Sequence, residues 1–268
     1  MLDRVTPRWI PHAVDLAACD LHPLPMRLRC DRILSAFNLR GFSLLAAILL
    51  GSAELLSARP AVSARGGNIY IVNDAGMEKQ LTSSGHDSNP VLDPAGQWIV
   101  FVRETSKKAV SSGAGEHPAT ELWQVRADGK EPLMLVAARE SDKMENLIAT
   151  FDDAQFSPDG RFVYFVTAAW ATSGAVHVVD TTNRKERFVI AGNGLQVVPS
   201  GEYRDHLLVS QHRYFLGGGS YDWYYLFTPA GKEVGVVGES TENFMDLYVK
   251  SPGSPAPRED RPAPGKTR

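Results

Sequence analysis

The sequence predicts an all-β chain folded as a small β-propeller of about four blades, and three observations carry that expectation. Asp93-Pro94-Ala95-Gly96, Ser157-Pro158-Asp159-Gly160 and Val198-Pro199-Ser200-Gly201 each separate two strand-like runs, so one supersecondary unit recurs. A second turn type alternates with the first, in Asn73-Asp74-Ala75-Gly76, Ala127-Asp128-Gly129, Asp180-Thr181-Thr182-Asn183 and Pro229-Ala230-Gly231. From Gly67 onward no apolar stripe of helical period is long enough for a core helix.

Each element follows from short β-branched and aromatic runs cut by Gly, Pro, Asn and Asp. The first runs are Asn68–Asn73 and Glu78–Leu81. One full set follows at Ser88–Leu92, Trp98–Arg103, Glu121–Arg126 and Pro132–Ala137. A second occupies Ala154–Phe156, Phe162–Thr167, Val176–Asp180 and Glu186–Ile190. A third occupies Leu195–Val198, His206–Gln211, Trp223–Thr228 and Glu233–Val237, and Phe244–Lys250 remains as a last run. The turns between them have a mechanism: proline presets the first turn position, and Gly or Asn accepts a positive φ, so antiparallel strands reverse tightly.

Ile69-Tyr70-Ile71-Val72-Asn73-Asp74-Ala75-Gly76, then Gln80-Leu81-Thr82, then Ser157-Pro158-Asp159-Gly160-Arg161 before Phe162-Val163-Tyr164-Phe165, resemble the repeats of TolB-like β-propellers, the WD40-like repeat called PD40. The resemblance covers residues 67 to about 250 and weakens where Val198-Pro199-Ser200-Gly201 lacks the aspartate. It implies a fold more than a function, because that family includes periplasmic envelope proteins, propeller domains of prolyl-oligopeptidase-type peptidases and sugar-acid lyases.

With strands lettered A to D outward from the axis, Pro-x-Gly turns join A to B and Asp-Gly turns join C to D. The phase then has the folded chain begin at strand C. Three complete blades follow, and Phe244–Lys250 is expected as a further A strand that pairs near Asn68–Leu81 and closes the ring. The alternative is an incomplete, open propeller, whose free edges would call for a covering partner.

Hydrophobic residues make up 43 % and charged residues 22 % of the 268, the balance of an ordinary globular protein. A formal charge of -3 supplies no basic stripe for phosphates, so no nucleic-acid partner is expected. Arg27, Arg29, Arg32 and Arg40 precede the apolar run Phe42–Leu50, with small residues at Val62-Ser63-Ala64. Residues 1–64 therefore read as a leader with a signal peptide cleaved near Ala64, with Met26 an alternative start, and the product as periplasmic or secreted. Membrane attachment is expected only through an uncleaved leader. Cys19 and Cys30 precede the propeller domain, residues 65–250, which thus has no disulfide. Ser251–Arg268 reads as a Pro-rich disordered tail.

The tight turns share one rim of a propeller, and the long connections Glu104–Thr120, Ala138–Asp153, Ala168–Ala175 and Arg213–Asp222 share the other. Binding residues concentrate on long loops held by a rigid scaffold, which directs attention to that second rim. There Trp170, Tyr214, Phe215 and Tyr221 can anchor a protein segment or stack on a sugar, or simply pack. Asp87, Ser88, Asn89, Asp152, Asp153, Asn193 and Asn243 fall at or near the starts of A strands, as a polar ring or as turn caps.

No Gly-x-Ser-x-Gly elbow, His-Glu-x-x-His or Cys-His cluster occurs, so no catalytic residue is assigned. His86, His177, His206 and His212 fall on different strand types and loops, and no metal or cofactor is expected. Gly217-Gly218-Gly219 reads as a loop, with no following helix to make a phosphate cradle. The function expected is a non-catalytic module binding another protein or peptide, with a carbohydrate-directed metal-dependent lyase or hydrolase, or a fragment of a larger propeller protein, as alternatives.

Overall fold

The computed structural model describes residues 60–250. The basic and apolar part of the expected leader, Met26, both cysteines and the Pro-rich tail lie outside the described residues.

Four antiparallel sheets succeed one another along the chain, each with its strands in sequence order. The first is β1 (Ala61–Arg65), β2 (Asn68–Val72) and β3 (Glu78–Gln80). The second contains β4 (Asp87–Leu92) and β5 (Trp98–Glu104). A small hairpin, β6 (Val110–Ser112) and β7 (Gly115–His117), is inserted before its last strands, β8 (Thr120–Arg126) and β9 (Leu133–Ala137). The third is β10 (Asp152–Phe156), β11 (Phe162–Thr167), β12 (Ala175–Asp180) and β13 (Glu186–Ala191). The fourth is β14 (Gly194–Val197), β15 (Leu207–Tyr214), β16 (Ser220–Phe227) and β17 (Glu233–Gly238). Contacts run from β1 to β4, β4 to β10 and β10 to β14, so the innermost strands of successive sheets adjoin as propeller blades do.

Burial explains why the sheets stack. Strands of period 2 present one apolar set to each neighbouring blade. Ile69 and Ile71 of the first blade meet Ile99, Phe101 and Val125 of the second. Val100, Val102 and Leu122 on the other face of the second meet Val163, Phe165 and Val179. Tyr164, Val166 and Val178 then meet Leu207, Val209, Tyr225 and Phe227 of the fourth. Each such side chain contributes about 1.5–3 kcal/mol on full burial.

Three full four-stranded blades thus stand where the sequence places them, and the described residues form an open, incomplete propeller. The closing device differs from expectation in two ways. The first blade begins one strand earlier, at β1, a B strand; only Val62 in Ala61-Val62-Ser63-Ala64-Arg65 is β-branched, so the run carries little strand signal. Ala64 pairs with Ile69 inside β1, which puts the expected cleavage position within a strand.

Phe244–Lys250 is helical, not an A strand: α1 (Glu242–Met245) continues as a wider π-helical turn over Asp246–Lys250. Its apolar residues, Phe244, Met245, Tyr248 and Val249, follow helical spacing rather than alternation, and Lys250 reaches back to Asp246 at 2.9 Å. This segment packs on Val198, Leu208 and Leu226, the outer face of the fourth blade. At the other end, the outer face of the first blade is polar, with Arg65 paired to Glu78 at 2.9 Å and lying over the Tyr70 ring at 4.3 Å. A polar face and a helical cap finish the two ends of the described stack, as terminal repeats do in repeat proteins.

Candidate functional site

On the long-loop rim, the fourth blade carries the two longest described strands, β15 and β16, of eight residues each. The register of β15 with β14 ends at Ser210, and that of β16 with β17 at Tyr224. Beyond those residues β15 and β16 pair only with each other, through Gln211↔Trp223, His212↔Asp222, Arg213↔Tyr221 and Tyr214↔Ser220. The result is a two-stranded arm closed by Phe215-Leu216-Gly217-Gly218-Gly219, where the Phe215 N–H donates to the Gly219 carbonyl at 3.1 Å.

Side chains brace this arm from below. Phe215 lies against Tyr221 with centroids 4.4 Å apart, and Tyr221 against Trp223 at 4.9 Å. The Tyr225 hydroxyl donates to the Tyr221 hydroxyl at 3.2 Å. Arg213 sits 3.5 Å above the Tyr225 ring and pairs with Glu233 at 2.6 Å. Above the brace, Tyr214, Phe215 and Leu216 are 71, 52 and 110 % exposed. Tyr214 and Phe215 are therefore surface groups, and Tyr221 is the packed residue that positions Phe215. Leu216, which no sequence expectation singles out, completes the apolar tip; three successive apolar residues before a glycine run are its signal.

Trp170 stands elsewhere on the rim, in the β11–β12 connection. The Gly113 N–H of the β6–β7 hairpin donates to the Ala169 carbonyl at 2.6 Å, and Trp170 N–H to the Ser173 carbonyl at 2.8 Å. Asn193 holds the same loop from the next blade, accepting from Gly174 N–H at 2.7 Å and donating to the Thr172 carbonyl at 3.1 Å. Trp170, Asp152, Ala114 and Asn193 line one concavity of about 480 Å³. Asp152 accepts from the Thr150 hydroxyl at 2.6 Å.

The expected polar ring does not form as one group. The Asp87 side chain is fully buried, and Arg103 donates to its two oxygens at 2.6 and 3.0 Å. Burial alone would raise the Asp87 carboxyl, but hydrogen bonds from Arg103, Thr82 and Ser84 outweigh it and hold the group below the usual carboxylate range. Asp87 is thus an internal ion pair rather than a ligand group.

Asn89 and Asp153 occupy matching β-bulges. Pairing skips a residue between Ser88 and Val91 in β4 and between Asp152 and Gln155 in β10, and the bulged residues have φ of 50° and 49°. Asn and Asp tolerate that left-handed backbone better than other side chains that bear a β-carbon. Their polarity is explained by the backbone. Asn243 lies in α1, away from any A strand.

The histidines have separate surroundings. His177 is buried between the second and third blades, its Nδ1 bonded to Glu186 Oε1, while Glu186 also pairs with Arg139. His212 pairs with Asp222 at 3.0 Å on the arm. Among the described residues no three His, Cys, Asp or Glu side chains gather as metal ligands.

No family model matches the chain, and no curated protein matches it. Among solved structures it is similar to the β-propeller domain of the Trilobed protease from Pyrococcus furiosus, which has an open velcro topology. The identity there is 15 % and the TM-score 0.44, over 65 % of this chain and 49 % of that one. It is similar to Porphyromonas gingivalis dipeptidyl peptidase 4 at 12 % identity and TM-score 0.44, over 68 % of this chain and 31 % of the other. For TolB from Acinetobacter baumannii the values are 12 % and 0.32, over 67 % and 52 %. The chain spans less than two thirds of the length of each.

Proposed function

We propose that this chain is an exported, non-catalytic β-propeller module that binds another protein or peptide through its long-loop rim, in the periplasm or outside the cell. One observation carries the reading: a two-stranded arm that presents Tyr214, Phe215 and Leu216 to solvent above a base of packed aromatic rings. Exposed apolar clusters are costly to solubility unless a partner covers them. Large aromatics held without freedom to rearrange make strong interface anchors, since little entropy is lost when they dock. Trp170 and Asp152 offer a second contact on the same rim. The basic and apolar run from Arg27 to Leu50 supports export.

The test is a comparison of the full chain with a Tyr214→Ser, Phe215→Ser, Leu216→Ser variant as bait in envelope extracts. A protein retained by the first and lost from the second supports the reading; no protein retained by either refutes it. Fusion of residues 1–75 to a reporter that folds only in an oxidising compartment tests export independently.

A further inference from the structure

The tight-turn rim holds a different kind of site. Between the second and third blades lies a cleft of about 390 Å³, bounded by Gln124, Asp93, Gln97, Trp98, Asp159 and Arg161. Gln124 is only 7 % exposed, and among the described residues its carboxamide makes no hydrogen bond to protein; its polar atoms are not sealed in but reach the cleft. Its remaining exposure is to this cleft, so the unmet donors and acceptor face the space a ligand would fill.

The rest of the lining sets the charge of that ligand. Asp93 Oδ1 already accepts from the N–H groups of Gln97 and Trp98 at 2.6 and 2.9 Å. Asp159 Oδ1 accepts from Arg161 N–H at 3.0 Å and from the Ser157 hydroxyl. The Arg161 guanidinium is committed to Asp180 at 2.8 and 3.2 Å. An anion would meet two carboxylates and an arginine already neutralised; a cation would meet carboxylates whose inner oxygens are taken and an arginine close by. What remains open is two side-chain amides, Gln124 and Gln97, and the outer carboxylate oxygens of Asp93 and Asp159 as acceptors, beside the indole of Trp98. Amides that both donate and accept, next to an aromatic ring, match the vicinal hydroxyls and the apolar ring face of a sugar.

We propose that this inter-blade cleft binds a neutral saccharide, with Gln124 as the central hydrogen-bonding group. The site lies on the rim opposite the arm, so its occupancy is independent of protein capture by Tyr214 and Phe215.

The experiment uses the full chain, isotope-labelled, titrated with glucose, N-acetylglucosamine, maltose, cellobiose and chitobiose, and with glucuronate and inorganic phosphate as charged comparisons. The expected result is saturable movement of the Trp98 indole and Gln124 carboxamide signals with at least one neutral sugar. Gln124→Leu should weaken that binding about tenfold, the loss of one hydrogen-bonded group, while melting no lower than the parent. Gln97→Ala, at an exposed position, should weaken it with the fold intact. Absence of any response to the neutral sugars overturns the proposal, as does preference for glucuronate or phosphate. A markedly lower melting temperature for Gln124→Leu also overturns it, because the amide would then have a structural role.

Discussion

The Tyr248 carbonyl closes so tightly over Gly201 that a β-carbon added to Gly201 would stand 1.9 Å from its oxygen. The third Pro-x-Gly turn is thereby fitted to the C-terminal cap, and its glycine is needed twice, for that approach and for a φ of +83°. Gly201→Ala must displace either the turn or the cap. The expected loss is about 2–3 kcal/mol, the upper part of the range for single substitutions, read from the urea midpoint. Proteolysis should then cut first between Ser240 and Lys250. An unchanged midpoint would show that the cap does not bear on the turn.

Phe244 is the side chain by which the cap holds the fourth blade, buried among Val198, Leu208 and Leu226 and 5.6 Å from the Tyr203 ring. Phe244→Ala should cost about 3 kcal/mol, the lower end for a buried Phe, because a helix end can partly collapse into the space. It also uncovers an apolar blade face, so dye binding and concentration-dependent association should rise together. Both are measurable by fluorescence and light scattering.

Asp87, Glu121 and Glu186 are held below their ordinary carboxylate range: burial would raise each, and partners outweigh it, Arg103 for Asp87, Lys107 and Trp123 for Glu121, and His177 and Arg139 for Glu186. A lowered folded-state value means stability that is complete above the unfolded-state values, about 3.9 for Asp and 4.3 for Glu. It is lost as pH falls through the folded-state values. Urea midpoints should therefore be flat with respect to these groups above about pH 5 and fall below about pH 4. Asp87→Asn with Glu186→Gln should flatten that decline. Arg103→Met, which strands a buried carboxylate, should cost about 3–5 kcal/mol at neutral pH and less in acid.

Asn89 and Asp153 offer a clean separation of backbone from ligand roles. If the bulge alone selects them, Asn89→Gly and Asp153→Gly should leave stability unchanged within about 0.5 kcal/mol. Asn89→Val should cost about 1–2 kcal/mol, since a β-branched side chain is penalised in the left-handed region. Equal losses for Gly and Val would point to the side-chain polar groups instead.

The arm shows how local signals and tertiary context divide the information. Tyr214 and Phe215 are legible as candidate surface aromatics, but the ribbon that carries them is not. Gln211, His212, Arg213 and Asp222 break the apolar alternation, because arm strands with little blade around them need no apolar face. Gln124 is still less legible. One glutamine within Glu121–Arg126 reads as a solvent-facing strand residue, and only the approach of the third blade buries it without a partner.

By itself the sequence determined the blades. Period-2 runs and two alternating turn types are local properties, and each turn needs only its own proline, glycine or asparagine to form. It also located the long-loop rim, which follows from strand phase. Tertiary structure decided how the ends are finished, because Phe244, Met245, Tyr248 and Val249 become a cap only when the face of Leu208 and Leu226 is there to receive them. It likewise withdrew Asp87 into an ion pair with Arg103 and left Gln124 unpaired in a cleft. Whether a polar group is satisfied depends on neighbours far away in the chain, and no local pattern records that.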